Sequence, residues 1–168
     1  MKAYICGRYG RRKEFRIIEA VLQSLGISVC ARWLHGDHEL TPATGPSNAH
    51  FATEDLEDVQ SADLVFVFTE PPNPRGRNRG GRHVEFGIAL QKKALVVIIG
   101  PRENVFHWLP EVWHYETWED CRRAEPWQGD PECEWHRYAM PDGTCTCGLY
   151  RAYSLAMNHS KQEGRSPC

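Results

Sequence analysis

The sequence predicts an α/β protein, an open parallel sheet with helices on both faces. Three observations carry that expectation. ADLVFVFTEPP (62–72) and ALVVIIGP (94–101) are near-continuous apolar runs closed by turn residues, as expected of strands buried on both sides. RRKEFRIIEAVLQSLG (11–26) places Phe15, Ile18, Val21, Leu22 and Leu25 at three- and four-residue intervals, the spacing of an amphipathic helix. Strand-like and helix-like segments alternate along the first 120 or so residues, the pattern of repeated parallel βαβ units. The class is therefore flavodoxin- or Rossmann-like, with a small Cys-rich extension at the C-terminus.

In chain order, KAYICG (2–7) reads as a first strand ending in glycine, and the helix at 11–26 follows, with Gly26 as its stop. ISVCARWL (27–34) reads as a second strand, and 35–50, rich in turn residues and without periodicity, as a loop. Thr53 is the expected N-cap of a helix running to Ser61, with Glu54 and Asp55 in its first turn. The strand at 62–72 leads into PPNPRGRNRGG (71–81), a loop marked by Pro and Gly, and then into a helix that opens GGRHVEFGIALQ. After the strand at 94–101, residues 104–123 supply a last strand and helix. Residues 1–124 form the expected α/β domain. Residues 125–168 form an appendage rich in Cys, His and aromatics, with a tail expected to be partly disordered.

Bulk composition excludes several classes. The chain has 168 residues, 41% apolar and 25% charged, enough for one domain with a core. A net charge of −2 gives no global attraction to a nucleic-acid polymer. No apolar run approaches the ~20 residues of a membrane span. MKAYICGRYGRR lacks the apolar length of a signal peptide, which makes the expected location cytoplasmic. Of the seven cysteines, Cys6 and Cys30 fall in strand-like runs and read as inert core residues.

Ligands of such sheets bind at the carboxyl ends of the strands. The loops there carry Arg8, Tyr9, Arg11 and Arg12 after the first strand, Arg75, Arg77, Arg79 and Arg82 after the third, and Arg102, Glu103 and Asn104 after the fourth. Arginine forks and the helix start at Gly80-Gly81 suit a phosphate. The same helix start is expected to keep Glu85 ionised, and an ionised, oriented carboxylate at a cleft is a candidate nucleophile toward a sugar carbon. Glu85 also fits a solvated surface residue, the arginine run a solvated loop, and Asp63 a polar strand end.

YICGRYGRRKEF, SADLVFVFTEP, GGRHVEFGIAL and GPRENVFHWLP, taken in this order, resemble the nucleoside 2-deoxyribosyltransferase family and its relatives that hydrolyse nucleoside 5′-monophosphates. The resemblance covers Lys2 to about Arg123. It implies that Glu85, in a G-x-x-x-E-x-G-x-A pattern with Gly81, Gly87 and Ala89, attacks the anomeric carbon and displaces the base. It implies that Asp63 helps form the site, that Gly7, Arg8 and Tyr9 line the sugar or base pocket, and that Asn104 reaches a neighbouring subunit's site in a homodimer or larger oligomer. The implied substrate is a deoxynucleoside or its 5′-monophosphate, with no cofactor for catalysis, and the arginines favour the phosphorylated form. The family's transferases carry an aspartate in the loop before the nucleophile, and this loop has no acid after Glu70. Glu70, Glu103 or His83 stands as its substitute, and transfer against hydrolysis stays open. The alternative is a nucleotide-binding or sensing module that keeps the fold without turnover.

In the extension, Cys133, His136, Cys145 and Cys147 offer three thiols and an imidazole, a candidate set for one structural zinc. C-x2-H is a usable spacing, whereas C-x-C is tighter than usual. Free cysteines in a loop-rich segment are the competing reading, and a partner-binding adaptor built on this tail is a further one.

Overall fold

The computed structural model describes residues 1–36, 45–71 and 80–128. Along them run β1 (Lys2–Cys6), α1 (Arg12–Ser24), β2 (Ser28–Val29), α2 (Gly45–Ser61), β3 (Leu64–Phe68), α3 (Gly80–Gln91), β4 (Leu95–Ile99), β5 (Val112–Tyr115) and α4 (Trp118–Ala124). Every pairing is parallel, in the order β2-β1-β3-β4-β5. This is the flavodoxin-type order, in which the chain starts inside the sheet and winds out to each edge in turn.

Every residue of β3 and β4 is buried, as their apolar runs require. Strand alternation divides the sheet's two faces. Phe66 and Phe68 meet Trp118 at the start of α4, and Phe68 also meets Phe15 of α1, with ring centroids 4.7 Å apart. Tyr4 and Cys6, in register with Val65 and Val67, point the other way, toward α3. Gly7 closes β1 where the chain must pass the Phe15 ring, and a Cβ there would lie 2.6 Å from two of its carbons. That contact is a packing reason for Gly7, separate from the pocket role the resemblance implies.

Two elements, β2 and α2, depart from the sequence expectation. Strand β2 pairs over two residues only. Beyond it Arg32–Leu34 form a 3-10 turn held by side chains instead of a ladder: the Trp33 indole N–H donates to the Ile5 carbonyl at 2.9 Å, and Arg32 binds Asp58 through both its backbone N–H and its Nε at 2.8 Å. Helix α2 begins at Gly45, eight residues before Thr53. Pro46 is tolerated in that first turn, where the missing N–H has no helical partner. Thr53 is interior to the helix, its hydroxyl donating to the Ala49 carbonyl at 2.9 Å, so it does not cap.

The core also reaches past residue 124. Trp127 is buried, stacks on Trp118 and meets Phe66 edge-on. Arg79 and the candidate zinc ligands Cys133, His136, Cys145 and Cys147 lie outside the described residues. Among the described residues, no helix is long and apolar enough to cross a membrane, and no group of three or more metal-ligating side chains occurs.

Candidate active site

Helix α3 lays Glu85 over the carboxyl-terminal half of β1. The Tyr4 hydroxyl donates to Oε1 at 2.9 Å and the Cys6 thiol donates to Oε2 at 2.7 Å. Glu85 is the sixth residue of the helix, in its second turn, so the helix start acts on it only weakly. Burial pushes its carboxyl above the usual range, and the groups that oppose this and favour its charge are the Cys6 and Tyr4 donors and Arg82. Burial and the Glu85 charge likewise drive the Tyr4 and Cys6 groups well upward, which keeps both as neutral donors.

A second carboxyl completes the group. Asp55, on α2, is raised to about 7, first by burial and then by the charge of Glu85. Its Oδ1 is buried without a hydrogen-bond partner among the described residues. Both carboxyls are raised, and the Glu85 charge is one cause of the Asp55 shift, so the two groups interact. Tyr4 and Asp55 had no role in the sequence reading, and Cys6 was read as inert. The signal was partly available: positions 4 and 6 of an otherwise apolar strand share one face, and both carry hydrogen-bond donors. Asp55 was read as a helix-start acid because the start of α2 was placed eight residues late.

The other predicted residues fall elsewhere. Asp63 precedes β3, at the amino ends of the strands, where its Oδ2 accepts the Lys2 backbone N–H at 2.8 Å. The structure therefore does not bring it to Glu85; Asp55, eight residues earlier, is the aspartate whose charge interacts with Glu85. Arg82 is buried, its Nη2 2.5 Å from Glu103 Oε2 and its Nη1 3.3 Å from the Phe68 carbonyl, so this guanidinium is not free for a phosphate. Glu103 Oε1 accepts the Glu70 N–H at 3.2 Å, which ties the loops after β3 and β4 to the first turn of α3. Gly81 is exposed in that turn.

His83 and Asn104 join the same cluster. The Asn104 amide lies 3.0 Å from Nε2 of His107 and 3.4 Å from Nδ1 of His83. His107, absent from the sequence reading, is fully buried against Phe86, and burial lowers its pKa. Tyr9 packs on Trp33, and Arg12 sits over its ring while donating to its hydroxyl. Arg8 pairs with Glu70 at 3.5 Å and Arg11 with Glu14 at 2.7 Å. Three of the strand-end arginines, Arg8, Arg11 and Arg82, thus face carboxylates, whereas Arg12 donates to Tyr9 and Gly36 and Arg102 lies over the Trp108 ring. A cleft of about 990 Å³ between α1 and α4 is lined by Arg8, Arg11, Glu70, Phe68, Trp118 and Arg122, but not by Glu85, Tyr4, Cys6 or Asp55. We place the candidate site at the Glu85 carboxylate, where the perturbed titratable groups converge.

No protein-family model matches the chain, and neither does any curated protein. Among solved structures, the fold is similar to that of a 2-deoxyribosyltransferase from the psychrotolerant bacterium Bacillus psychrosaccharolyticus, with a TM-score of 0.56 and 19% identity over 71% of this chain and 89% of that one. A CMP N-glycosidase from Clostridium botulinum gives a TM-score of 0.45 and 16% identity over 68% of this chain and 87% of that one. The first likeness establishes the shared open α/β fold.

The raised Asp55 carboxyl has a consequence for stability. A carboxyl whose folded pKa lies above its unfolded value favours the fold at low pH, and that contribution is lost as pH rises through the folded value, here about 7. Asp55→Asn is therefore expected to unfold at higher temperature than wild type at pH 8 and to match it near pH 4. Equal stability at both pH values would mean that Asp55 ionises without cost.

Proposed function

We propose that this protein cleaves the N-glycosidic bond of a deoxynucleoside or its 5′-monophosphate through a covalent intermediate on Glu85. The observation that carries the proposal is the Glu85 carboxylate, held by one donor on each oxygen, with an Asp55 carboxyl whose titration its charge influences. The shared fold with a 2-deoxyribosyltransferase and the resemblance of the four sequence segments support the choice of substrate class.

In the first step a Glu85 oxygen attacks the anomeric carbon, the carbon–nitrogen bond breaks, and the base leaves with the bonding pair. Asp55, protonated below about 7, supplies the proton that the departing base needs. This gives the missing loop aspartate a substitute that the sequence did not single out. In the second step water or another base attacks the same carbon and frees the carboxylate. The outcome, hydrolysis or transfer, depends on which acceptor occupies the pocket.

Glu85→Gln and Glu85→Ala should fold normally and lose at least about a thousandfold in base release, the scale of removing a nucleophile and leaving only binding. Chromatography of free base from a panel of deoxynucleosides and their monophosphates measures this and ranks the substrates. Turnover near wild type in either variant would end the proposal. The ratio of specificity constants with and without the 5′-phosphate measures whether the strand-end arginines favour a phosphorylated substrate.

We also infer a homodimer or larger assembly. Val84, Val105, Phe106 and Trp108 are exposed large apolar residues in the helix and turn that carry His83 and Asn104. Light scattering should give at least twice the chain mass, and Phe106→Glu with Trp108→Glu should return the monomer; a wild-type monomer with full activity would contradict this.

A further inference from the structure

We propose that Cys6 is a positioning residue for Glu85, its thiol fixing the orientation of the carboxylate and sharing with Tyr4 the replacement of the water lost on burial. This rests on the reading of Glu85 as nucleophile and adds to it a residue with no previous role.

Cys6 is fully buried at the end of β1, a place where a thiol usually serves as a small apolar group. Here its single proton has two acceptors in reach, Glu85 Oε2 at 2.7 Å and the Arg82 carbonyl at 3.4 Å, and the nearer, charged one takes it. Tyr4, two residues earlier on the same strand face, serves Oε1. The last torsion of a glutamate side chain is soft, with a broad range of angles. One donor on each oxygen, both from the same rigid strand, restricts it to one setting, and an attacking oxygen needs such alignment. A thiol is also a weak donor, so it orients the oxygen while leaving more of its charge available than a hydroxyl would.

The groups that face Glu85 are Tyr4 and Cys6 from β1, Asp55 from α2 and Arg82 on its own helix. Burial raises the Glu85 carboxyl, and the Cys6 hydrogen bond opposes that rise along with Tyr4 and Arg82. Removing the thiol therefore raises it further.

Two measurements test the proposal. The first needs no turnover: infrared difference spectra between wild type and Cys6→Ala isolate the Cys6 S–H stretch. It should lie below the frequency of a free thiol and move up in Glu85→Ala. A free-thiol frequency unchanged by Glu85→Ala would overturn the proposal. The second is the acid limb of the kcat/KM pH profile, which is lost as pH falls and Glu85 takes up a proton. Cys6→Ala should move this limb up by about one unit, so that kcat/KM is about tenfold lower on the acid side. Cys6→Ser should return it most of the way, with KM little changed throughout. A role in packing alone would lower the unfolding temperature and leave the limb in place, and that result would overturn the proposal. If Glu85→Gln is inactive while Cys6→Ala keeps the wild-type limb, the positioning role alone fails. If Glu85→Gln turns over normally, the nucleophile reading fails and the positioning role fails with it.

Discussion

A carboxylate taken out of water must find donors, and the chemistry of this fold depends on how Glu85 finds them. Its two partners come from alternate residues of β1, which points both at α3 from one face. Strand β1 in turn is pinned between β2 and β3 by parallel pairing, with its other face closed by Phe15, Phe68 and Trp33. The sheet thus acts as a rigid frame for one side chain. Asp55 on α2 interacts with that charge, and burial and the Glu85 charge together raise its carboxyl to about 7.

Around this centre several loop charges are paired. Arg82 and Glu103 form a buried pair that also secures the Glu70 backbone, so the loops after β3 and β4 and the first turn of α3 share one set of contacts. Breaking one member would leave its partner buried and unpaired, a larger penalty than the net value of the pair. The pair makes Arg82 part of the frame, and the influence of its charge on Glu85 is electrostatic, without direct contact.

Much of this was legible in the sequence because burial on both faces leaves a plain mark. The runs at 62–72 and 94–101, the period of α1 and the alternation of elements point to an open parallel sheet, whereas the strand order β2-β1-β3-β4-β5 comes from the structure. Glu85 was legible as a carboxylate in an apolar helix after two glycines. The missed features share a cause: they depend on contacts between segments distant in sequence. Strand β2 is short because Arg32 and Trp33 turn aside to Asp58 and Ile5. Asp63 and Asp55 are both aspartates near a buried strand, and only the fold separates the one at the amino ends from the one whose charge acts on Glu85. Cys6 looks like any core thiol until α3 sets an acceptor over it, and Arg8, Arg11 and Arg82 look uncompensated until Glu70, Glu14 and Glu103 meet them.

The central claim is that the sugar passes through a bond to Glu85. Acid quenching during turnover, followed by peptide mass mapping, tests it most directly. The account predicts a mass increase of one deoxyribosyl group, with its 5′-phosphate where a nucleotide is used, on the segment Gly80–Gln91 and localised to Glu85. An adduct on any other residue, or undiminished base release with no adduct at any quench time, would contradict it.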